Sequence, residues 1–179
     1  MDADTGARLT VATNQSTLLG VGWPIAAIHG DRDDVGEPFY DPQGAATTFY
    51  RHRHGPNRLR AELTGVPTQP QPYRVGWGPP IERAAVLDVL VTSDDDTVYI
   101  HAINRSFTDD HELAIDLSAL GRVAETAVHH TFTCNLTAEP GHGVAKGMIQ
   151  LEQQRIPVAV RSTVVLPQRS VSIIAIPRH

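Results

Sequence analysis

Apolar residues in this chain cluster in short runs or alternate with polar ones, and few stretches have helical spacing. Residues 84–91 read Ala-Ala-Val-Leu-Asp-Val-Leu-Val, and residues 97–104 read Thr-Val-Tyr-Ile-His-Ala-Ile-Asn. Both runs are rich in β-branched residues, and five polar residues, 92–96, separate them. The pattern predicts an antiparallel hairpin over Ala84–Ser106 with its loop at 92–96. Apolar residues at nearly every position of both arms place this hairpin centrally, covered on two faces.

Further strands follow from the same reading. Leu59, Ala61 and Leu63 alternate with Arg58, Arg60 and Glu62, which predicts a half-exposed strand over Asn57–Leu63. His111–Leu117 alternates with Leu113, Ile115 and Leu117 inward. Thr126–Asn135, Met148–Glu152, Ile156–Val160 and Thr163–Leu166 are further strand candidates, and Ser170–Ile176, almost wholly apolar, reads as a central one. Residues 7–23 have only weak helical character, ending before Pro24. Asp41 followed by Pro42 has the form of a helix start, predicting a short helix over 45–54. Residues 64–80 hold five of the thirteen prolines and read as a long surface strap. The expected fold is all-β: an antiparallel, jelly-roll-like β-sandwich with one or two short N-terminal helices.

Composition adds boundaries. At 179 residues, 41% hydrophobic and 20% charged, the chain can bury a core without metal or disulfide staples. Its net charge of −5 offers no footprint for nucleic acid or an anionic membrane. Cys134 is the only cysteine, so no intrachain disulfide forms. No apolar run has membrane-spanning length. The start, Met1-Asp2-Ala3-Asp4-Thr5-Gly6, carries no leader pattern and reads as a cut inside a longer chain, and together with the single cysteine it favours a cytoplasmic compartment. The sequons at Asn14, Asn104 and Asn135 are read as background.

Candidate chemistry is sparse. Glycoside hydrolysis needs two carboxylates facing one pocket. Glu37, Glu62, Glu82, Glu112, Glu125, Glu139 and Glu152 fall in turns or at strand edges, as solvated surface groups do. Asp94–Asp96 lacks the spaced ligands of a calcium loop and reads as a turn. His52 and His54 share a face only on a strand, and the helix expected there removes that geometry. His130 and Cys134 share a strand face, with Cys134 read as a core residue. No Gly-x-Ser-x-Gly turn or nucleotide loop is present. No catalytic residue, cofactor or metal site is therefore assigned. Tyr73 and Trp77, on the strap, remain as aromatics that either stack on sugar rings or pin the strap to the sandwich.

Several stretches carry a resemblance. Ala12-Thr13-Asn14 through Trp23-Pro24-Ile25 looks like a last barrel helix and the exit from it. Pro38-Phe39-Tyr40-Asp41-Pro42-Gln43-Gly44, then Phe49-Tyr50, is similar to the passage that follows it. Tyr99-Ile100-His101-Ala102-Ile103-Asn104-Arg105-Ser106 resembles a strand ending in "valine, asparagine, arginine", and Leu166-Pro167-Gln168-Arg169-Ser170-Val171 resembles the approach to a final strand. Together they resemble the C-terminal β-sandwich domain of glycoside hydrolases of the α-L-arabinofuranosidase family, in which a (β/α)8 catalytic barrel precedes the sandwich. The resemblance implies residues 1–30 as a remnant of the barrel helix and linker, and 31–179 as the sandwich. It implies a non-catalytic accessory domain whose partner is the barrel of the parent chain. The family's Asn-Glu acid/base and glutamate nucleophile lie on barrel strands, and no catalytic residue carries over. A free-standing carbohydrate-binding module for arabinose-containing plant polysaccharide is the alternative. A sandwich separated from its barrel would bare an apolar patch, through which a homodimer is expected.

Overall fold

A computed structural model describes residues 19–20, 28–29, 39–40, 42–71, 79–134 and 149–178. It divides into two compact units, Met1–His52 with Cys134–Gln150, and Arg53–Thr133 with Leu151–His179. In the first unit, β1 (Leu19–Gly20) pairs parallel with β2 (Ile28–His29), and β2 pairs antiparallel with β3 (Phe39–Tyr40). Leu19–Gly20 is thus extended, while the rest of the weak helix expected over 7–23 lies outside the described residues. Helix α1 (Pro42–Arg51) starts on the proline, whose missing N–H costs nothing at a first helical position. Phe49 of α1 is buried and meets Tyr50 edge to face.

The second unit is mainly the sandwich. Its strands are β4 (Asn57–Leu59), β5 (Thr68–Gln71), β6 (Ile81–Ala85), β7 (Leu87–Ser93), β8 (Thr97–Asn104), β9 (His111–Asp116), β10 (Thr126–Cys134), β11 (Ile149–Pro157), β12 (Arg161–Leu166) and β13 (Ser170–Pro177). One sheet has six strands in the order β11-β10-β13-β8-β7-β4, with β9–β12 and β5–β6 as antiparallel pairs beside it. Leu113 and Ile115 of β9 and Val164 and Leu166 of β12 pack against Leu87, Ile100, Ala102, Ala127, Ile174 and Ile176 of the large sheet. Period-2 alternation produces this core: each strand turns every second residue inward. Val98, Leu166, Ile173, Ile174 and Ile176 are fully buried, each worth about 1.5–3 kcal/mol of transfer free energy.

Several expected boundaries move, each for a physical reason. The central hairpin begins at Leu87, because Ala84–Ala85 belong to β6 and the chain changes sheets at Val86. Val86 N–H donates to Pro67 O, and Val86 O accepts from Arg105 N–H. The hairpin loop is 94–96, shorter than the expected 92–96. Thr92 and Ser93 are ladder residues, paired with Tyr99 and Val98 and buried. The strand expected over Asn57–Leu63 stops at Leu59, and Leu63 is exposed, since β4 has a sheet neighbour only on β7. The two short strands expected over 148–160 are one, β11. At a sheet edge its polar centre, Glu152-Gln153-Gln154-Arg155, faces solvent without breaking the ladder. Part of the strap is regular too, as Thr68–Gln71 pairs with β6.

Gly55 fixes where β4 meets the sheet. A Cβ on Gly55 would lie inside the Ser93 carbonyl, and the Gly55 N–H donates to Thr92 Oγ1 at 3.1 Å. Gly55→Ala is therefore expected to lower stability by about 1–3 kcal/mol through overpacking against backbone that cannot yield. Chemical denaturation of the two proteins measures this, and equal midpoints at equal slope would count against it.

Candidate functional site

Three places among the described residues bring hydrogen-bonded or buried polar groups together: a strand end, a turn and the two faces of the large sheet. The first is the end of β8. Asn104 is 1% exposed, and both its Nδ2 hydrogens and its Oδ1 are hydrogen-bonded. Nδ2 donates to Leu166 O on β12 and to Asp109 O, both at 3.0 Å, and Oδ1 accepts from Ser106 N at 2.9 Å. Ser106 Oγ accepts from the Asp109 amide at 2.9 Å and donates to Asp109 Oδ2 at 3.2 Å. Hydrogen bonds from Thr108 and Ser106 hold the Asp109 carboxyl below the usual carboxylate range, against the opposing effect of burial. Arg169 N–H donates to Ser106 O, and Gln168 N–H to Asp110 Oδ1. Arg105 turns outward, bonding Ala85 O and the Asp88 carboxylate in a half-exposed ion pair of little energetic weight. Asn104-Arg105-Ser106 is thus a knot between layers, and the Asn104 amide, buried with both hydrogens donated, is not presented for glycosylation.

The second place is the hairpin turn. Asp94 accepts from the amides of Asp96 and Thr97 and from Tyr99 Oη, at 3.0, 2.7 and 2.9 Å. Partial desolvation pushes its carboxyl up, but the Tyr99 hydroxyl and the turn amides outweigh this and hold it low. The lead carboxylate of the acidic run is spent on its own turn, in an Asx-type arrangement. Among the described residues no group of three His, Cys, Asp or Glu side chains stands close enough to hold a metal.

The third place is a set of histidines on the large sheet. His129 is buried, with Nε2 3.0 Å from Ser172 Oγ and 3.3 Å from Thr131 Oγ1. Register places it opposite Ile174, on the core-facing side of the sheet. His101 lies on the other face, 4% exposed, its Nε2 3.0 Å from Thr92 Oγ1 and its ring stacked on Tyr99. Burial, with help from the neighbouring His54, pushes the His101 imidazole down to about 4. Burial also lowers His129 and His130. Neither buried imidazole has solvent beside it, and a general base needs a reacting group within hydrogen-bond reach. The helix ends at Arg51, so His52 and His54 form no strand-type pair, and His54 is exposed.

Glu62, Glu82, Glu112, Glu125 and Glu152 are all exposed and sit on separate segments, while Glu37 and Glu139 lie outside the described residues. A shallow open depression on β9 and β12 is lined by Ala114, Ile115, Asp116, Arg161, Ser162 and Thr163. Asp116 is its one carboxylate, and Arg161 Nε donates to it at 3.2 Å. A two-carboxylate hydrolytic centre is not assembled among the described residues. The candidate sugar-contacting residues Tyr73 and Trp77, and the His130 partner Cys134 as a side chain, lie outside the described residues. The buried histidines His101 and His129 were legible only as strand residues. Their burial depends on which face each strand turns to the core. No helix of the described residues is long and apolar enough to cross a membrane.

Two expected outcomes follow. Asn104→Asp places a carboxylate against the carbonyls of Leu166 and Asp109 and should cost about 3–5 kcal/mol at neutral pH, more than most single substitutions. Asn104→Ser, losing the bonds without adding charge, should cost less, and reversal of that order in urea denaturation would refute the knot. The second concerns pH. Between pH 6.5 and about 4 the unfolded chain binds a proton at His101 and the folded chain does not, so stability rises with pH there. The contribution, on the order of 3 kcal/mol, is fully present above pH 6.5 and gone below about 4. Urea midpoints measured across this window should fall with acid in the wild-type chain and fall less steeply in His101→Gln. Parallel curves would reject the assignment to His101.

No protein-family model matches this sequence, and no curated protein matches it either. Solved structures do. An arabinose-bound GH51 α-L-arabinofuranosidase, MgGH51, is similar over 92% of this chain and 24% of its own, with a TM-score of 0.70 at 17% identity. The α-L-arabinofuranosidase of Thermotoga maritima in complex with arabinose is similar over 86% of this chain and 32% of its own, with a TM-score of 0.71 at 16% identity. The thermostable GH51 enzyme of Thermotoga petrophila RKU-1 is similar over 84% and 31%, with a TM-score of 0.67 at 18% identity. The chain thus has the fold of one part of the GH51 α-L-arabinofuranosidases, a part that makes up between 24% and 32% of those enzymes.

Proposed function

We propose that this chain is the non-catalytic accessory β-sandwich of a glycoside hydrolase of α-L-arabinofuranosidase type, supporting a separate catalytic barrel. The observation that carries the reading is the asymmetry of coverage: nearly all of this chain fits a small part of each arabinofuranosidase. The scatter of the described glutamates over exposed positions supports it. Residues 1–30 are then the exit from the barrel, and 31–179 the sandwich. The partner is the barrel of the parent chain. The domain supplies a rigid platform, with its polar groups committed to turns and to the joint between its layers. Tyr73 and Trp77 are the residues assigned to contact with the barrel or with polysaccharide. The apolar patch left by a missing barrel is the expected face for self-association.

The purified chain is expected to leave a nitrophenyl arabinofuranoside intact, while a GH51 enzyme whose own sandwich is replaced by this chain retains soluble, active barrel. Turnover by the chain alone would overturn the reading, as would a chimera that fails to fold. Calorimetric titration with arabinoxylan and arabinan oligosaccharides is expected to give no binding at millimolar ligand. Binding that disappears in Trp77→Ala would replace this function with that of a carbohydrate-binding module.

A further inference from the structure

The two edges of the six-stranded sheet are built differently. One edge, β4, is three residues long, and a short edge strand offers little ladder to a stray chain. The other edge, β11, runs nine residues from Ile149 to Pro157. It contains no lysine, and its only proline is the last residue. Residues 151–155 are all exposed, Leu151 at 62%, and no described strand lies beyond them. Natural sheets rarely leave such an edge bare.

The direction of its free groups follows from one hydrogen bond. Val158 N–H, just past the end of β11, donates to Glu125 O, just before the start of β10, at 2.9 Å. The strands therefore run antiparallel. Counting back from this bond, residues 152, 154 and 156 turn their amides and carbonyls to β10, and Leu151, Gln153 and Arg155 turn theirs outward. The same count sets Ile156 opposite Ala127, and both pack in the core cluster.

A second copy of this chain fits that edge, and the register that pairs all of Ile149–Pro157 has its axis at the central residue, Gln153, whereas an axis at Leu151 pairs residues 149–153 alone. Two identical antiparallel strands related by a two-fold axis keep the same side chains on the same face, so opposed positions are both odd or both even. An axis at Glu152 sets two carboxylates face to face, and an axis at Arg155 sets two guanidiniums face to face. An axis at Gln154 opposes Glu152 to Ile156. An axis at Gln153 opposes Gln153 to its own copy, Leu151 to the aliphatic stem of Arg155, and Glu152 to the donating side-chain amide of Gln154. In that register each outward residue exchanges both of its backbone bonds with the partner strand.

We propose that β11 is a dimerisation strand, pairing antiparallel with β11 of a second copy about a two-fold axis at Gln153. The two six-stranded sheets then run on as one, and the exposed Leu151 is covered by the partner. The proposal does not rest on the accessory-domain reading.

Sedimentation of the purified chain from micromolar to sub-millimolar concentration tests the proposal. The wild-type chain is expected to dimerise within that range. Gln153→Lys sets two ammonium groups at the axis and should weaken self-association by about tenfold or more. Gln154→Lys sets the new ammonium opposite Glu152 twice and should tighten the dimer about two- to tenfold. Both positions are exposed, and far-UV circular dichroism confirms that each variant is folded. A wild-type monomer at every concentration overturns the proposal, and so does a Gln153→Lys dimer as tight as the wild type. Weakening by Gln154→Lys overturns the register and the proposal with it.

Discussion

The Asn104 side-chain amide joins the two layers of the sandwich where β8 ends. One hydrogen of its Nδ2 goes to Leu166 O across the sandwich and the other to Asp109 O, while Oδ1 takes the Ser106 amide. At 1% exposure the Asn104 amide has no water as a substitute, and its bonds to Leu166 O and from Ser106 N are buried, so leaving either unmade would cost a desolvated polar group its partner. Much follows from satisfying them together. Residues 105–110 must fold back under the strand end, and the β12–β13 crossing must pass close enough for Arg169 N–H to reach Ser106 O. Arg169 accepts a left-handed φ of 52° to make that crossing, a conformation that costs an L-residue about 1 kcal/mol. The knot also sets β13 in register on β8, with Ser170 opposite Asn104 and the isoleucines Ile174 and Ile176 opposite Ile100 and Val98.

A second constraint acts on the opposite face of the same strand. His101 stays neutral because water cannot reach it, and its Nε2 meets the Thr92 hydroxyl that also takes the Gly55 N–H. Gly55 has no room for a side chain against Ser93. β8 is therefore specified on both faces, by an amide on one and an imidazole on the other. Burial of polar groups on a strand is tolerable only where each has a partner, and such partners define one register among many that apolar packing alone would accept.

These arrangements explain why a domain with little reactive chemistry holds its fold at an identity of only 16–18% to the arabinofuranosidases. Among the described residues, several polar side chains are engaged in turns and strand joints. The carboxylates of Asp94 and Asp109 serve their own turns, and Asp116 bonds Arg161 and the Ser118 amide. Among the described residues, the exposed apolar side chains include Phe107 and Leu151.

Local pattern alone determined much of the fold. The β-branched runs of β7, β8 and β13 and the strict alternation of Leu113, Ile115 and Leu117 reveal strands because their periodicity is set by backbone geometry within a few residues. Asn104-Arg105-Ser106 was legible as a mark of resemblance, but nothing nearby in sequence announces that its amide reaches Leu166, 62 residues away. The same holds for the continuity of β11 through its polar centre, the shift of sheet at Val86, and the burial of Thr92 and Ser93. Each depends on which strand lies alongside and whether a second layer covers it. Periodicity reports the two faces of a strand, but only tertiary structure decides which neighbour each face meets and whether solvent is left beside it.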